Sequence, residues 1–240
     1  MELNEGRMDA KKKYLWFDLG YTLLRLKRDE PFMRILESLG ITLSTEKIEK
    51  AFHVTDKQFM REYPGVLAKD MSFSMPLYLG NMMYHLGCET DLCALHQLWR
   101  KELENPLEVW EPFDFVEKEL ERLSREGYRL GVISNWDSSA RPILERYGLI
   151  RFFDNIVISS EVGSQKPDSE IFRQAFKGAG VEPEECLYIG DNYYDDAVGC
   201  RKVGMDYLII NPYGNLGVEE LAEKKDCRLI PDITHIRAYL

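Results

Sequence analysis

Apolar positions along the chain follow two rhythms, and the change between them divides it. Tyr14-Leu15-Trp16-Phe17-Asp18-Leu19-Gly20-Tyr21-Thr22-Leu23-Leu24 opens on an unbroken apolar and aromatic run, the pattern of a short buried strand. That strand ends on one carboxylate, Asp18, and Gly20 permits a sharp exit from the sheet. From Leu23 to Pro112 the spacing reads as helical throughout, with nothing alternating at a period of two. One helix runs from Pro31 to Ser38 and stops at Gly40; a second begins at Ser44 or Thr45 and runs through Ile48, Ala51, Phe52 and Phe59. A third opens at Ser74-Met75-Pro76 and stops at Gly87, and a fourth spans about Leu92 to Leu103. From Phe113 onward short apolar runs (129–134, 155–159, 186–190, 207–210 and a weak 228–230) alternate with helical stretches. That alternation predicts βαβ units and a parallel sheet covered on both faces. The fold class is therefore α/β, with a core of residues 13–24 and 111–240 and an inserted helical block of residues 25–110.

Composition narrows the class. The chain has 240 residues, 45% hydrophobic and 30% charged, and a mean hydropathy of −0.35, as expected for a globular protein with one large core. A formal net charge of −10 argues against a nucleic-acid partner, since binding phosphate backbones needs a clustered positive field. Lys11-Lys12-Lys13 is the one basic run and reads as a solvated arm. No apolar run approaches the roughly 20 residues of a membrane span, so no membrane association is expected, and the polar, acidic start does not resemble a signal peptide. Five cysteines without a C-x-x-C pair read as reduced thiols of a cytoplasmic protein; Cys88 and Cys93, near His85 and His96, read as helix packing rather than a metal site.

Candidate chemistry gathers at strand ends. Asp18, Ser134 and Asp191 each close an apolar run, and in parallel sheets ligands bind outside the carboxyl ends of the strands. Asp18, Asp191, Asp195 and Asp196 would put up to four carboxylates in one cleft, where like charges resist joint ionisation and a hard divalent cation relieves them. Mg²⁺ suits such a set, with the Gly20 carbonyl as a further oxygen. Asp195 and Asp196 read equally as caps of a helix near Ala197. Ser134 and Asn135 can donate hydrogen bonds to an anionic oxygen, and Lys166 offers a compact charge for a phosphate or for Asp18, with Pro167 in the first turn of the next helix.

Taken together, Phe17-Asp18-Leu19-Gly20-Tyr21-Thr22-Leu23, Val132-Ile133-Ser134-Asn135, Gln165-Lys166-Pro167-Asp168-Ser169-Glu170-Ile171-Phe172 and Ile189-Gly190-Asp191-Asn192-Tyr193-Tyr194-Asp195-Asp196 resemble the haloacid dehalogenase-like (HAD) superfamily of hydrolases. The branch resembled carries a helical cap after the first strand of a Rossmann-like core. The resemblance covers about Tyr14 to Asn211. It implies that Asp18 is a nucleophile forming an aspartyl-phosphate that water hydrolyses. It also implies Asp191 as a Mg²⁺ ligand, Asp196 as holder of a metal-bound water, Ser134 and Lys166 as phosphate ligands, and a small phosphorylated metabolite as substrate.

One departure stands out. Family phosphatases usually carry a second Asp two residues after the nucleophile, as acid for the leaving group and base for water; here that position is Gly20, and Tyr21 stands where a Gly usually does. Losing a placed acid–base group costs about 10²–10⁴ in rate, tolerable where the leaving oxygen is already good, as in an acyl, sugar 1- or aryl phosphate, or where a group from the cap, a neighbouring Tyr or metal-bound water substitutes. Two other readings stay open: a metal-independent 2-haloacid dehalogenase, which also lacks the second Asp, and a non-catalytic relative that binds a phosphometabolite. A phosphonate-cleaving relative would need a Schiff-base Lys in the cap, where Lys47, Lys50, Lys57 and Lys69 read as surface charges. Trp136, Tyr193 and Tyr194 read equally as substrate contacts or packing, and neither a monomer nor a homodimer is favoured.

Overall fold

The computed structural model describes residues 12–68, 71, 73–102, 106–224 and 226–240. In chain order its elements begin β1 (Tyr14–Phe17), β2 (Leu24–Leu26), α1 (Asp29–Ser38), α2 (Thr45–Glu62), α3 (Met75–Leu86), α4 (Leu92–Glu102), α5 (Pro106–Val109) and β3 (Trp110–Pro112). They continue as α6 (Val116–Arg125), β4 (Arg129–Ser134), α7 (Ala140–Arg146), β5 (Asn155–Ile158), α8 (Ser159–Val162) and α9 (Ser169–Ala179). The last are β6 (Cys186–Gly190), α10 (Val198–Val203), β7 (Asp206–Ile210) and β8 (Leu229–Ile230).

Among the described residues one parallel sheet runs in the order β5-β4-β1-β6-β7-β8. Its strands read as unbroken apolar runs because both faces are covered. Leu15 and Phe17 pack with Val132, Leu187 and Ile189 against α6 and α7. Tyr14 and Trp16 point the other way and pack with Ile133 and Tyr188 against α9 and α10. Gly131 makes this possible, since a Cβ there would lie 2.4 Å from the Trp16 ring. β1 is central, between β4 and β6, so Asp18 emerges at the sheet's carboxyl edge with a strand end on either side.

The inserted segment has an apolar cluster of its own. Phe32, Phe52, Phe59, Tyr78, Met82 and Trp99 from α1 to α4 bury one another, with Phe32 edge-on to Trp99 at 5.2 Å between ring centres. Its entry is locked by Arg28, whose guanidinium is buried against the Asp56 carboxylate while the Tyr78 hydroxyl donates to Asp56 Oδ1 over 2.6 Å. Two short strands were not expected in this stretch: β2 and β3 pair antiparallel, Leu24 opposite Pro112. Three residues each is too short for alternation to rise above the helical spacing around them.

Two further expectations are corrected. Pro167 lies before α9 rather than in its first turn; Asp168 caps that helix, its side chain accepting from the Glu170 N–H. Lys12 is not part of a solvated arm, because its ammonium is buried and holds the Glu184 carbonyl at 2.7 Å and Asp206 at 2.5 Å. The helix expected near Ala197 is α10, which starts at Val198 after a π-turn (Tyr193–Ala197). Lys11 and Lys69 lie outside the described residues, and no described helix is long and apolar enough to cross a membrane.

The inserted helices touch the core through His53 on α2, whose Nε2–H donates to the Leu216 carbonyl at 3.0 Å and whose ring sits 4.8 Å from that of Tyr213. Burial first, then the charges of Lys57 and Arg28, push its imidazolium pKa down to about 4, against the opposing pull of Asp56 and the Leu216 carbonyl. The folded state therefore binds the proton more weakly than the unfolded chain does. Neutral His53 contributes fully above about pH 6.5, and that contribution is lost as pH falls toward and through 4. Between pH 7 and pH 5, His53→Gln is expected to remove roughly 1–2 kcal/mol of the wild-type stability loss, read as the difference between urea titrations of the two proteins at each pH. Equal pH dependence in both proteins would refute this.

Candidate active site

Asp18 follows the last residue of β1, and its backbone N–H donates to the Ile189 carbonyl at 2.9 Å, which fixes the carboxylate over the sheet edge. Lys166 approaches from the loop before α9, almost fully buried. Its ammonium lies 3.1 Å from Asp18 Oδ1, 2.7 Å from Asp196 Oδ1 and 2.7 Å from the Tyr188 hydroxyl, which donates on to the Ile133 carbonyl. Burial alone would push this amine down, but Asp18 and Asp196 overcome it and hold the ammonium well above its ordinary range. The contact with Asp18 is an ion pair rather than a directed hydrogen bond, so Asp18 Oδ1 is buried with no hydrogen-bond partner.

Ser134 ends β4 with its Oγ buried and likewise without a partner. The Asn135 side chain is committed to the Lys166 loop, its Nδ2 donating to the Lys166 carbonyl at 2.9 Å and its Oδ1 accepting from the Lys166 N–H at 2.7 Å. Asn135 thereby acts on the site through the placement of Lys166.

The acidic set does gather. Asp18, Asp191 and Asp196 can place one oxygen each within 4.8 Å of one another. Asp196 is fully buried, with Oδ2 accepting from the Asn192 N–H at 3.0 Å, and only glycine fits at position 190, where a Cβ would lie 2.1 Å from that oxygen. The cap of the following turn is Asn192, whose side chain accepts from the Tyr194 and Asp195 N–H groups, so the helix-cap reading of Asp195 and Asp196 does not hold. Asp195 accepts from Asn192 Nδ2 at 2.9 Å and keeps Oδ1 buried and unpartnered. Burial, with the neighbouring carboxylates, raises Asp195 to about 7 and Asp196 to about 6; Asp191 is raised by burial and by Asp18, against the pull of Lys57.

Lys57 is the residue that sequence reasoning missed. It lies on α2, buried, with its ammonium 3.0 Å from Asp191 Oδ2 and 2.5 Å from the Asp191 carbonyl. Nothing local could have revealed this, because a lysine beside the apolar stripe of an amphipathic helix has the same signature whether water or a carboxylate faces it.

Asp18, Ser134, Lys166 and Asp195 share a cavity of about 430 Å³ that Met60 and Leu67 also line. Gly20 lines it beside two indoles; a Cβ there would be 3.4 Å from the Trp136 ring and 3.7 Å from that of Trp110. Tyr21 takes the left-handed backbone region, φ 51°, which strains a side chain with a Cβ and brings its ring edge-on to Trp110, 5.7 Å between centres. Trp136 thus lines the cavity, as do Asp191 and Asn192, while Tyr193 is buried in the core and the Tyr194 hydroxyl donates to Glu220.

Comparison with known proteins shows the family. The family model described as haloacid dehalogenase-like hydrolase matches residues 17–210. The human haloacid dehalogenase-like hydrolase domain-containing protein 3 is 29% identical over 233 residues, covering 93% of this chain and 92% of its own. The glyceraldehyde 3-phosphate phosphatase of Methanothermobacter thermautotrophicus is 34% identical over 137 residues, 54% of this chain and 58% of its own. Among solved structures, the putative HAD-hydrolase YfnB of Bacillus subtilis superimposes with a TM-score of 0.61 at 21% identity, over 95% of this chain and 98% of its own, a likeness of fold. The chain is accordingly a hydrolase of the haloacid dehalogenase-like family.

Proposed function

We propose that this hydrolase is a Mg²⁺-dependent phosphatase of small phosphorylated metabolites that works through an aspartyl-phosphate on Asp18. The observation that carries the reading is a pair of buried, unpartnered oxygens, Asp18 Oδ1 and Ser134 Oγ, beside the Lys166 ammonium in one cavity. A phosphoryl group there meets a nucleophile, a hydroxyl donor and a positive charge together. The phosphatase named among the relatives acts on a small phosphorylated compound, which supports the substrate class. The same reading divides the chain into a core of residues 13–24 and 111–240 and a cap of residues 25–110.

In the first step an Asp18 oxygen bonds to phosphorus and the bond from phosphorus to the leaving oxygen breaks. Lys166 and Ser134 hold the non-bridging oxygens as charge moves onto them. With glycine at position 20 no side chain there donates a proton, so the leaving oxygen departs as an anion and takes its proton from water. Water then attacks phosphorus, Asp18 is released, and inorganic phosphate leaves.

The residues fit a hard divalent cation. Asp18 Oδ1 and Asp195 Oδ1 lack hydrogen bonds, and four carboxylates face two ammonium groups, which leaves an excess of negative charge. Asp18, Asp191 and Asp196, with the Gly20 carbonyl, would hold Mg²⁺, which when bound shields these carboxylates from the substrate phosphate. The dehalogenase alternative would have no use for this buried acidic set.

Phosphate release from acetyl phosphate and p-nitrophenyl phosphate is expected with Mg²⁺, and is expected to vanish with EDTA. Turnover unaffected by EDTA would reject the metal-dependent mechanism. Ser134→Ala is expected to lower kcat/KM about 10–100-fold, the equivalent of one hydrogen bond to a charged group, with little change in the melting temperature because Oγ has no partner to lose. An unchanged kcat/KM in that variant would remove Ser134 from the phosphate site.

A further inference from the structure

We propose that the leaving group is an aromatic alcohol seated against the Trp110–Trp136 pair, so that the substrate is an aryl or heteroaryl phosphate; the inference rests on the phosphatase reading above. It joins two observations, one about chemistry and one about shape.

The chemical observation is that position 20, two residues after the nucleophile, carries no acid and lies beside two indoles. A Cβ there would be in ordinary van der Waals contact with both rings. With glycine in place, no carboxyl reaches the leaving oxygen from this position. A phenol, with a pKa of about 10, departs as its anion far more readily than an alkanol, whose acidity is close to that of water.

The shape observation is the wall itself. The two indoles meet at 61° with 4.6 Å between ring centres. Trp136 is pinned: its Nε1–H donates to Ser139 Oγ at 3.0 Å, its backbone N–H donates to Ser159 Oγ at 3.0 Å, and Ser139 Oγ in turn donates to Asp137 at 2.5 Å. Tyr21 extends the aromatic surface, and Met60 and Leu67 line the same cavity. A flat ring against aromatic and thioether side chains gains contact area without new polar partners. A sugar would instead need a partner for each hydroxyl, and none of the aromatic and apolar side chains named here offers one, while Ser139 Oγ is already engaged twice. The only cationic side chain lining this cavity among the described residues is Lys166, whereas Asp137, Asp191 and Asp195 are all acidic, so a carboxylate-bearing leaving group meets like charge.

The test compares kcat/KM for phenyl phosphate, acetyl phosphate, glucose 1-phosphate and phosphoglycolate in the wild type, Trp136→Ala and Trp110→Leu, each checked for folding by circular dichroism. Phenyl phosphate is expected to exceed phosphoglycolate and glucose 1-phosphate by 100-fold or more. The ratio of phenyl to acetyl phosphate is expected to fall at least tenfold in either tryptophan variant, through KM. A fall of less than threefold in both, or a wild type that prefers glucose 1-phosphate or phosphoglycolate, overturns the aromatic assignment while leaving the phosphatase intact. If the wild type hydrolyses none of the four, the phosphatase reading fails by itself, and the aromatic site is then read by binding. Benzylphosphonate is expected to bind at least tenfold tighter than methylphosphonate in the wild type and equally in Trp136→Ala; equal binding in the wild type overturns the site.

Discussion

Asp18→Asn is expected to lower phosphate release by on the order of 10⁴–10⁶-fold, the loss seen when a nucleophile is removed and its surroundings are left in place. Asparagine has the same shape, and the hydrogen bond from the residue 18 N–H to the Ile189 carbonyl does not involve the side chain. Lys166 keeps Asp196 and the Tyr188 hydroxyl as partners, so its ammonium is not stranded. The substitution also removes one of four clustered negative charges, each of which raises its neighbours, so stability is expected to hold or rise slightly. Steady-state phosphate release together with a thermal melt checks both halves. A variant retaining activity within tenfold of the wild type would show that the covalent bond does not form at Asp18.

Lys57→Met carries the second large effect, this time on stability. The ammonium is buried against Asp191, and removing one partner of a buried pair strands the other charge. In EDTA the variant is expected to lose about 3–5 kcal/mol in a urea titration, and Asp191→Asn in the same chain to recover most of that loss. Saturating Mg²⁺ is expected to stabilise the variant more than the wild type, because a cation at Asp191 supplies the missing positive charge. Wild-type stability in EDTA would mean that the pair is too weak to matter, and an equal response to Mg²⁺ in both proteins would separate Lys57 from the metal site.

These two residues mark how far the sequence could be read. Asp18 was legible because it closes an apolar run, and its companions Ser134, Lys166 and Asp191 stand at the ends of other runs or just after them, where a parallel sheet brings side chains together. Lys57 was read as a surface charge, because whether a helix residue faces water depends on what packs against it. Its partner is 134 positions away. The β2–β3 pairing was missed for a related reason: three residues carry too little period to outweigh their surroundings, and strand Leu24–Leu26 exists only because Trp110–Pro112 lies beside it.

Gly20 shows the division most directly. Its identity, and the absence of a carboxyl two residues after Asp18, could be read from the chain; that Trp110 and Trp136 lie beside it could not. Taken by itself, the sequence determined the parallel α/β core, the order in which strands deliver Asp18, Ser134, Lys166 and the acidic run, and the family to which that order belongs. The core rests on local periodicity, and the family on the resemblance of the four motifs that carry these residues. Only the tertiary structure decided that Lys57 reaches Asp191 from the inserted helices, that Asn135 holds the Lys166 loop, and that two indoles lie beside Gly20. Each of these is a contact between segments distant in sequence, set by how the helices and loops pack over the sheet edge and left unmarked in either partner's own neighbourhood.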